Sequence, residues 1–218
     1  MNLDDVAIEL AQLVGGDPFE TVRLASETHQ REHGCGLFHA GAPQMQLVSS
    51  LARLVKPTRI LDLGSGFGYS TLWLARALDD AGTVIGVDDD PIHTARATDL
   101  IKEQGFGDSI RFVTGRVRNV LDSIAGPFDV VHDDAWFAQR PDHLETMLGL
   151  LRPGGLLTMV NWFLLVDTIT GQPRNDWGSF AGPKWAEETL SYANHLAARS
   201  DISVTWVTTP PIAFASKL

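Results

Sequence analysis

Cysteine, basic residues and long apolar stretches are the features that this sequence has least of. Cys35 is its single cysteine, which excludes a disulfide within the chain and leads us to expect a reducing, cytoplasmic setting. Lys and Arg number 17 against 27 Asp and Glu, a formal net charge of −10, which disfavours nucleic acid and anionic membranes as partners. The sequence has no apolar stretch of membrane-spanning length, and its opening, MNLDDVAIELAQL, does not resemble a targeting leader.

The remaining composition is that of one globular domain, residues 1–218. Hydrophobic residues make up 44% of the 218 residues, enough for a substantial core. Helical patterns cover 3–14 and 18–30, and a glycine-rich stretch follows them. We interpret 1–41 as an N-terminal helical cap and 42–218 as the core of the domain.

From Arg59 onward, short apolar runs alternate with helical patterns. The strand-like runs are 59–63, 83–88, 110–114, 128–133 and 155–160, and the helical runs are 69–78, 91–104, 117–124 and 141–151. This alternation predicts an α/β fold with a doubly wound, mostly parallel sheet that is covered on both faces. A long irregular segment, 161–182, then precedes a helix, 183–198. Two β-rich runs, 202–208 and 212–216, predict an antiparallel hairpin at the sheet edge.

The stretch RILDLGSGFGYSTLWLARAL carries the first sign of a ligand. Asp62 ends a predicted strand, and Gly64, Gly66 and Gly68 precede a predicted helix. Glycines at this point permit positive φ and let the backbone approach a cofactor, either a nicotinamide dinucleotide or S-adenosylmethionine. The dinucleotide pattern requires a small residue where this chain has Tyr69, so the spacing favours S-adenosylmethionine.

Polar residues after the first two strands fit the parts of such a cofactor. Ser70, in the first turn of the predicted helix, can donate to a carboxylate near the helix N-terminus. Asp88 ends the strand in TVIGVDDDP and can accept both ribose hydroxyls of either cofactor. Asp89 and Asp90 fit equally well as ligands or as the loop and N-cap of the next helix.

In this order, these motifs resemble the cation-dependent O-methyltransferases, the group that contains catechol and caffeoyl-CoA O-methyltransferases. ILDLGSGFGYSTLWLA is similar to the first cofactor motif, VIGVDDDP to the ribose motif and GAPQMQLVSSL to the lead-in helix, whose preceding loop closes over the cofactor methionine. TGRVRNVLDSI lies where the family binds adenine, and FDVVHDDAW and LLRPGGLLTMVNW match the motifs of the fourth and fifth strands.

The resemblance implies a Rossmann-like, seven-stranded methyltransferase sheet, S-adenosylmethionine as cofactor and a small-molecule acceptor. It also implies that the N-terminal helices, 3–30, cover the acceptor or form a homodimer interface. The implied cofactor-binding residues are Gly64, Ser65, Gly66, Gly68, Tyr69, Ser70, Asp88, Asp89, Gly115, Arg116, Val117, Asp134 and Trp136.

The sequence departs from the family at the metal site. The family binds Mg²⁺ or a similar cation through an Asp after the fourth strand and an Asp-Asn pair after the fifth. Asp134 matches the first ligand, but the pair reads Val160-Asn161, and Phe137 stands where the family often has a lysine base. A hard cation needs more oxygen ligands than these residues offer. We therefore predict no metal ligands here and methyl transfer that tolerates EDTA.

Three residues are candidates for the proton transfer that O-methylation requires. Asp134 can act as a base or orient the acceptor hydroxyl, and Asn161 can hydrogen-bond the acceptor. His39, in the glycine-rich loop, has a suitable intrinsic pKa, although it also fits a surface loop histidine. His132, inside a strand, is expected to pack below the site, and Asp133 to face away from Asp134.

Aromatic residues near the strand ends suggest a flat, apolar acceptor such as an aromatic or polyketide-like molecule. We expect Trp136 and Trp162 to line this pocket, and the sequence leaves Phe163, Trp177 and Phe180 undecided. Methyl transfer to a hydroxyl is the leading function. The alternatives are a cofactor-binding pseudoenzyme or regulator, a tRNA-modifying methyltransferase and, least favoured, a nicotinamide oxidoreductase.

Overall fold

The computed structural model describes residues 3–79, 81–135 and 140–218, without the side chains of Leu3, Asp4 and Phe180. Its helices are α1 Leu3–Leu13, α2 Glu20–His33, α3 Ala42–Leu54, α4 Tyr69–Ala75, α5 Pro91–Glu103, α6 Val117–Val120, α7 Arg140–Leu150, α8 Phe163–Thr170, α9 Trp177–Ala181 and α10 Trp185–Ala197. Its strands are β1 Arg59–Leu63, β2 Thr83–Asp88, β3 Ile110–Thr114, β4 Phe128–Asp133, β5 Leu151–Met159, β6 Ile202–Thr208 and β7 Pro211–Lys217. Among these residues no helix combines the length and apolar character needed to cross a membrane.

All seven strands form one sheet in the order β3-β2-β1-β4-β5-β7-β6. Strands β1 to β5 are parallel, while β7 is antiparallel to both β5 and β6. The predicted doubly wound, mostly parallel sheet with a C-terminal hairpin is thereby confirmed. The strand order reverses between β1 and β4, and ligands of such sheets bind at the carboxyl ends of the strands at this reversal.

Hydrophobic clusters cover both faces of the sheet because neighbouring residues of a strand point to opposite sides. In β1, Leu61 and Leu63 belong to one cluster, and Ile60 belongs to the other. The second cluster also contains Val22 of α2 and Met45 of α3. The helix α2 therefore contributes to the core.

The segment 161–182 is more regular than its sequence indicates. The prediction of an irregular connection is wrong, because this segment holds α8 and α9. Leu164 and Leu165 are buried on α8. The buried carboxylate of Asp167 accepts hydrogen bonds from Arg174 and Trp177, and so secures the connection between the two helices.

Candidate active site

The turn between β1 and α4 brings the backbone close to the end of β4. Gly64 has φ of 85°, and a Cβ atom there would lie 2.5 Å from the carbonyl oxygen of Asp134. Gly66 has φ of 51°, and its Cβ would lie 2.6 Å from Leu37 Cδ1. A side chain at Gly64 would clash with the Asp134 backbone, and one at Gly66 would displace Leu37 and adopt a strained positive φ, so the glycines allow β1, β4 and the loop before α3 to meet around one cavity.

A cavity of about 740 Å³ opens at the carboxyl ends of β1, β2 and β4. Its volume is within the range of ligand sites and suits a nucleoside cofactor together with a small acceptor. Of the residues predicted to bind cofactor or act in catalysis, it brings together His39, Gly64, Gly66, Asp88, Asp89, Arg116, Val117, Asp134 and Asn161.

Other predicted residues lie behind this wall. Gly68 faces Ile101 and Phe112, and a Cβ there would lie 3.2 Å from Phe112 Cζ. Gly115 donates its backbone N–H to the Asp88 carbonyl oxygen at 2.8 Å, which joins the ends of β2 and β3. Ser65 is buried and borders a small pocket beside the main cavity. Gly68, Gly115 and Ser65 thus lie behind the residues that line the main cavity and support them.

The polar groups of Tyr69 and Ser70 have partners within the protein. Ser70 Oγ donates to Asp62 Oδ2 at 2.8 Å, so in this structure it does not present its proton to a cofactor carboxylate as the sequence suggests. Tyr69 donates its hydroxyl to Asp17 Oδ2 at 3.0 Å and thereby links α4 to the N-terminal helices. Burial raises the pKa of Asp62 to about 6, although hydrogen bonds from Thr71 and Ser70 oppose this.

Asp88 connects the glycine turn to α5. Its Oδ2 accepts from the Gly66 N–H at 2.9 Å, and its Oδ1 accepts from the Asp90 N–H at 3.1 Å and from His93 Nδ1 at 3.0 Å. Burial disfavours the charged form of His93, but the hydrogen bond and charge of Asp88 outweigh it and raise the pKa of His93 to about 9. Asp90 is the N-cap of α5, as its alternative interpretation predicts, since Oδ1 accepts from the Ile92 N–H at 2.7 Å.

Asp134 and Asn161 lie together at the cavity wall. Asn161 Nδ2 donates to Asp134 Oδ1 at 2.5 Å. Burial, with the negative charges of Asp62 and Asp133, raises the pKa of Asp134 to about 8, against the lowering effects of Arg140 and Asn161. Asn161 has φ of 64°, a conformation that Asn adopts more readily than most residues. The site therefore holds a carboxyl group whose pKa is well above that of an ordinary aspartate, so it loses its proton at a higher pH.

These residues do not fit a hard divalent cation. Val160 is fully buried in the hydrophobic cluster that includes Leu37 and Ala40, and it has no ligand atom. Asn161 directs its amide nitrogen at Asp134, so one carboxylate is the charged ligand that this pair presents. Mg²⁺ and Ca²⁺ need a nearly complete shell of oxygen atoms.

His39 lines the cavity, and both of its ring nitrogens face oxygen atoms of the protein. Its Nδ1 lies 3.1 Å from the Ala40 carbonyl oxygen, and its Nε2 lies 3.0 Å from Glu27 Oε1. These contacts link α2 to the loop before α3. To take a proton from an acceptor hydroxyl, His39 would have to give up one of them.

His132 and Asp133 lie away from the cavity, in line with their expected positions. His132 is fully buried, with Nδ1 2.8 Å from Thr158 Oγ1, and burial lowers its pKa to about 4. Asp133 Oδ2 lies 3.4 Å from Arg140 Nε and 3.5 Å from His143 Nε2. This buried group of side chains supports β4 and α7 from behind the site.

The acceptor side of the cavity differs from the sequence-based prediction. Trp162 is only 1% exposed, and its ring stacks on Tyr192 with centroids 5.9 Å apart. Its predicted place in the pocket is therefore wrong, because the indole fills the core between α8 and α10. Phe163 and Trp177 line the cavity and stack on each other, with centroids 4.7 Å apart. Trp136 and Phe137 lie outside the described residues.

The cavity also contains residues that the sequence did not single out as site residues. Phe38 and Leu164 add apolar surface, and Asn175 adds a polar group. Cys35 and His93 complete the side nearest Asp88. Their positions depend on how the loops fold over the sheet, and loop residues carry little periodic signal.

A seven-stranded sheet of this order, with a glycine turn and an acidic residue at the ends of β1 and β2, defines the Rossmann-like methyltransferase class. Within that class, the family described as O-methyltransferase matches residues 17–174, and the chain belongs to this family.

Individual relatives agree with this assignment. A catechol O-methyltransferase from Niastella koreensis is 33% identical over 142 residues, which are 63% of this chain and 64% of that protein. The mouse catechol O-methyltransferase domain-containing protein 1 is 34% identical over 137 residues, 61% of this chain and 52% of that protein. The match thus spans between half and two thirds of the length of these relatives. The O-methyltransferase TomG from Streptomyces achromogenes, solved in complex with S-adenosylmethionine, is 26% identical with a TM-score of 0.79, covering 98% of this chain and 96% of that chain.

Proposed function

We propose that the protein transfers the methyl group of S-adenosylmethionine to a hydroxyl oxygen of a small aromatic or polyketide-like acceptor. The observation that carries this proposal is the composition of one cavity. Gly64, Gly66 and Asp88 lie at the ends of β1 and β2, while Asp134 and Asn161 lie at the ends of β4 and β5. The half with Gly64, Gly66 and Asp88 suits a nucleoside cofactor. The other half holds Asp134, whose pKa is raised, beside the rings of Phe163 and Trp177.

The cofactor half fits the methionine, ribose and adenine parts in turn. The backbone at Gly64 and Gly66 leaves room for the amino-acid part, and Arg116 and Val117 provide the adenine wall. A carboxylate offers about four acceptor positions, and Asp88 already uses three of them for Gly66, Asp90 and His93. Asp88 therefore accepts one ribose hydroxyl without losing a contact, and Asp89 beside it is the acceptor for the other.

The acceptor half positions a hydroxyl and removes its proton. When bound, the cofactor supplies an activated sulfonium methyl group. Asn161 occupies Oδ1 of Asp134, so Oδ2 is the oxygen that takes the acceptor proton. Because Asp134 has a pKa of about 8, it is a stronger base than an ordinary carboxylate and is matched to weakly acidic phenols. Phe163 and Trp177 offer an aromatic surface that aligns a flat acceptor.

A cofactor titration and a product assay test this proposal separately. Asp88→Ala should weaken binding of S-adenosylhomocysteine by about 1.5–3 kcal/mol, the scale of hydrogen bonds to a charged group, whereas Asp99→Asn on the exposed side of α5 should not. In EDTA, mass spectrometry across a panel of catechols, phenols and polyketide-like hydroxyl compounds should detect one or more methyl ethers. Complete loss of product in EDTA with rescue by Mg²⁺ would show that the pair Asp134 and Asn161 still uses a metal.

Loss of the family's metal ligand and lysine also favours a second candidate, a cofactor-binding pseudoenzyme or regulator. Val160 and Phe137 are the two substitutions that support it. In that case calorimetry would detect cofactor binding, and no member of the acceptor panel would be methylated with or without metal. A tRNA substrate is disfavoured by the formal charge of −10, and methylation of bulk tRNA by the purified protein would reverse that conclusion.

We further infer a cytoplasmic homodimer. The lone cysteine supports a reducing compartment. The helix α1 supports the dimer, because the large apolar side chains of Ile8, Leu10 and Leu13 are exposed on it.

A further inference from the structure

A second group of potential ligand atoms lies at the rim of the cavity. It consists of His29 on α2, Cys35 in the loop that follows and His93 in the first turn of α5. One ligand atom from each of these side chains lies within 4.8 Å of the other two. Within residues 3–79, 81–135 and 140–218, no other group of three His, Cys, Asp or Glu side chains meets this spacing.

His93 has the hydrogen bonding of a metal-binding histidine. It is only 6% exposed, and its Nδ1 donates to Asp88 Oδ1 at 3.0 Å. Its Nε2 is buried, with Asp90 Oδ2 3.6 Å away, and the Cys35 thiol is close enough to the ring to hydrogen-bond it. Histidines that bind metals generally donate the second ring N–H to a carboxylate, which orients the ring and makes the other nitrogen a better ligand.

The neighbouring side chains complete this arrangement. The His29 ring packs against Phe67 at 5.0 Å and against His93 at 5.5 Å between centroids. His33 follows one turn later on α2, with its ring centroid 4.3 Å from that of His29. Asp88, Asp89 and Asp90 add negative charge on the other side.

We propose that His29, Cys35 and His93 form a binding site for a divalent transition metal of the zinc type, with His33 or water as the fourth ligand. One thiolate and two or three imidazoles match the preference of Zn²⁺ for nitrogen and sulfur and its tetrahedral geometry. The same donors are poor ligands for Mg²⁺. This site is separate from Asp134 and Asn161 and does not depend on the proposed methyl transfer.

A bound ion here would join three elements beside the cofactor half of the cavity. It would connect α2 and the loop before α3 to α5, immediately next to Asp88. Cys35 and His93 both line the cavity, so the ion would hold the loop against α5. It would also stabilise the folded state, because the unfolded chain does not hold the three ligands together. Binding releases the Cys35 thiol proton and any proton on His93 Nε2 to solvent, while His93 Nδ1 keeps its proton and its hydrogen bond to Asp88.

The single cysteine permits a test on the unmodified protein. Cys35 is the only thiol in the chain, so the rate of its alkylation by iodoacetamide reports on this site alone. One equivalent of Zn²⁺ should slow alkylation by more than about tenfold, because the coordinated sulfur is withdrawn from the reagent. Alkylation that is unaffected by Zn²⁺ would overturn the proposal.

Cobalt substitution then identifies the ligands. Co²⁺ should bind with a thiolate-to-metal charge-transfer band that Cys35→Ser abolishes. His93→Gln should weaken Co²⁺ binding by more than about tenfold. Loss of a residue that only hydrogen-bonds a metal ligand already costs about tenfold or more, and His93 is proposed as a ligand itself. The band should be unchanged in two control variants. These are His195→Gln, at an exposed position of α10, and Asp134→Asn, in the other half of the cavity. A band lost in Asp134→Asn, or Co²⁺ affinity that is unchanged in both Cys35→Ser and His93→Gln, would show that the metal binds elsewhere.

His33→Ala decides between the two fourth ligands. Weaker binding with a changed cobalt spectrum would identify His33 as a ligand, and an unchanged spectrum would identify water. Each measurement is made without cofactor or acceptor, so a failure here leaves the methyl-transfer proposal intact, and the reverse also holds.

Discussion

Individual carboxyl groups at the ends of the strands differ in chemistry because their surroundings differ. Asp88 accepts three hydrogen bonds, from the backbone N–H groups of Gly66 and Asp90 and from His93 Nδ1. Asp134 is half-buried near Asp62 and Asp133, and burial raises its pKa to about 8. Two acids with different surroundings thus lie in one cavity, which is the basis for the separate roles that we propose for them, cofactor binding for Asp88 and proton transfer for Asp134.

The raised pKa of Asp134 predicts opposite pH dependences for activity and stability. Activity should rise with pH through about 8, as the carboxylate form accumulates. The folded protein holds the Asp134 proton more tightly than the unfolded chain, whose aspartates titrate near about 4. Between these values, therefore, the contribution of Asp134 to stability should fall as pH rises.

Asp134→Asn should remove both dependences. Its rate should be low at every pH, and its melting temperature should exceed that of the unmodified protein at pH about 8 more than at pH about 5. Asp122→Asn, at an exposed position, is the control and should change neither profile. If Asp134→Asn retained the rise in rate near pH 8, the base would be another group.

At the scale of helices and loops, the connection from α8 to α9 forms the aromatic wall of the cavity, where we propose that the acceptor binds. Asp167 is buried and accepts from the Arg174 N–H at 3.0 Å, from Arg174 Nε at 3.0 Å and from Trp177 Nε1 at 2.6 Å. These bonds hold the Trp177 ring against Phe163 at the cavity. The carboxylate of Asp167 on α8 thus positions Trp177, the first residue of α9.

Asp167→Asn should loosen this wall without disturbing the cofactor half. The amide keeps the shape but loses the charge, at a cost of about 1.5–3 kcal/mol in stability for hydrogen bonds to a charged group. We expect a higher KM for the acceptor and an unchanged affinity for S-adenosylhomocysteine. Asp176→Asn, exposed in the same connection, should leave both constants unchanged. An unaltered acceptor KM for Asp167→Asn would mean that Trp177 does not touch the acceptor.

The same elements show where prediction from sequence succeeds. Alternating apolar runs identified all seven strands, and the glycines and acids at strand ends identified Gly64, Gly66, Asp88 and Asp134 as residues near one cavity. These signals can be read locally, one strand end at a time. The residues nevertheless meet in space, because the carboxyl ends of parallel strands lie at the same edge of the sheet. Trp162 illustrates the limit, since a residue just after a strand can turn into the core or toward the ligand.

Partners of polar side chains are the other part that sequence did not reveal. Ser70 is bound by Asp62, and His39 is bound by Glu27. These contacts join residues eight and twelve positions apart through tertiary packing, and no spacing rule predicts them. The cluster of His29, Cys35 and His93 was missed for the same reason, because its members come from α2, a loop and α5.

At the scale of the whole molecule, the apolar surface is uneven. Leu13, the last residue of α1, is 80% exposed, Val14 just after the helix is 75% exposed, and Leu10, one turn before Leu13, is also exposed. The inner side of α1 is tied to α3 because Gln46 Nε2 donates to the carbonyl oxygens of Ala11 and Gly16 at 3.1 and 2.9 Å. The helix is therefore held in place with apolar side chains directed outward, as in the contact face of a dimer.

We predict that this face of α1 is where two copies of the chain meet. Light scattering should give the mass of a dimer for the unmodified protein and that of a monomer for Leu13→Asp combined with Val14→Asp, because two buried and unpaired charges would oppose association. Ile169→Asp, which places a charge at an equally exposed apolar residue of α8, should remain a dimer. The affinity for S-adenosylhomocysteine should be the same in all three proteins, since the cofactor half of the cavity contains no residue of α1. A monomeric unmodified protein would refute the dimer, and a dimeric double variant would locate the interface on another face.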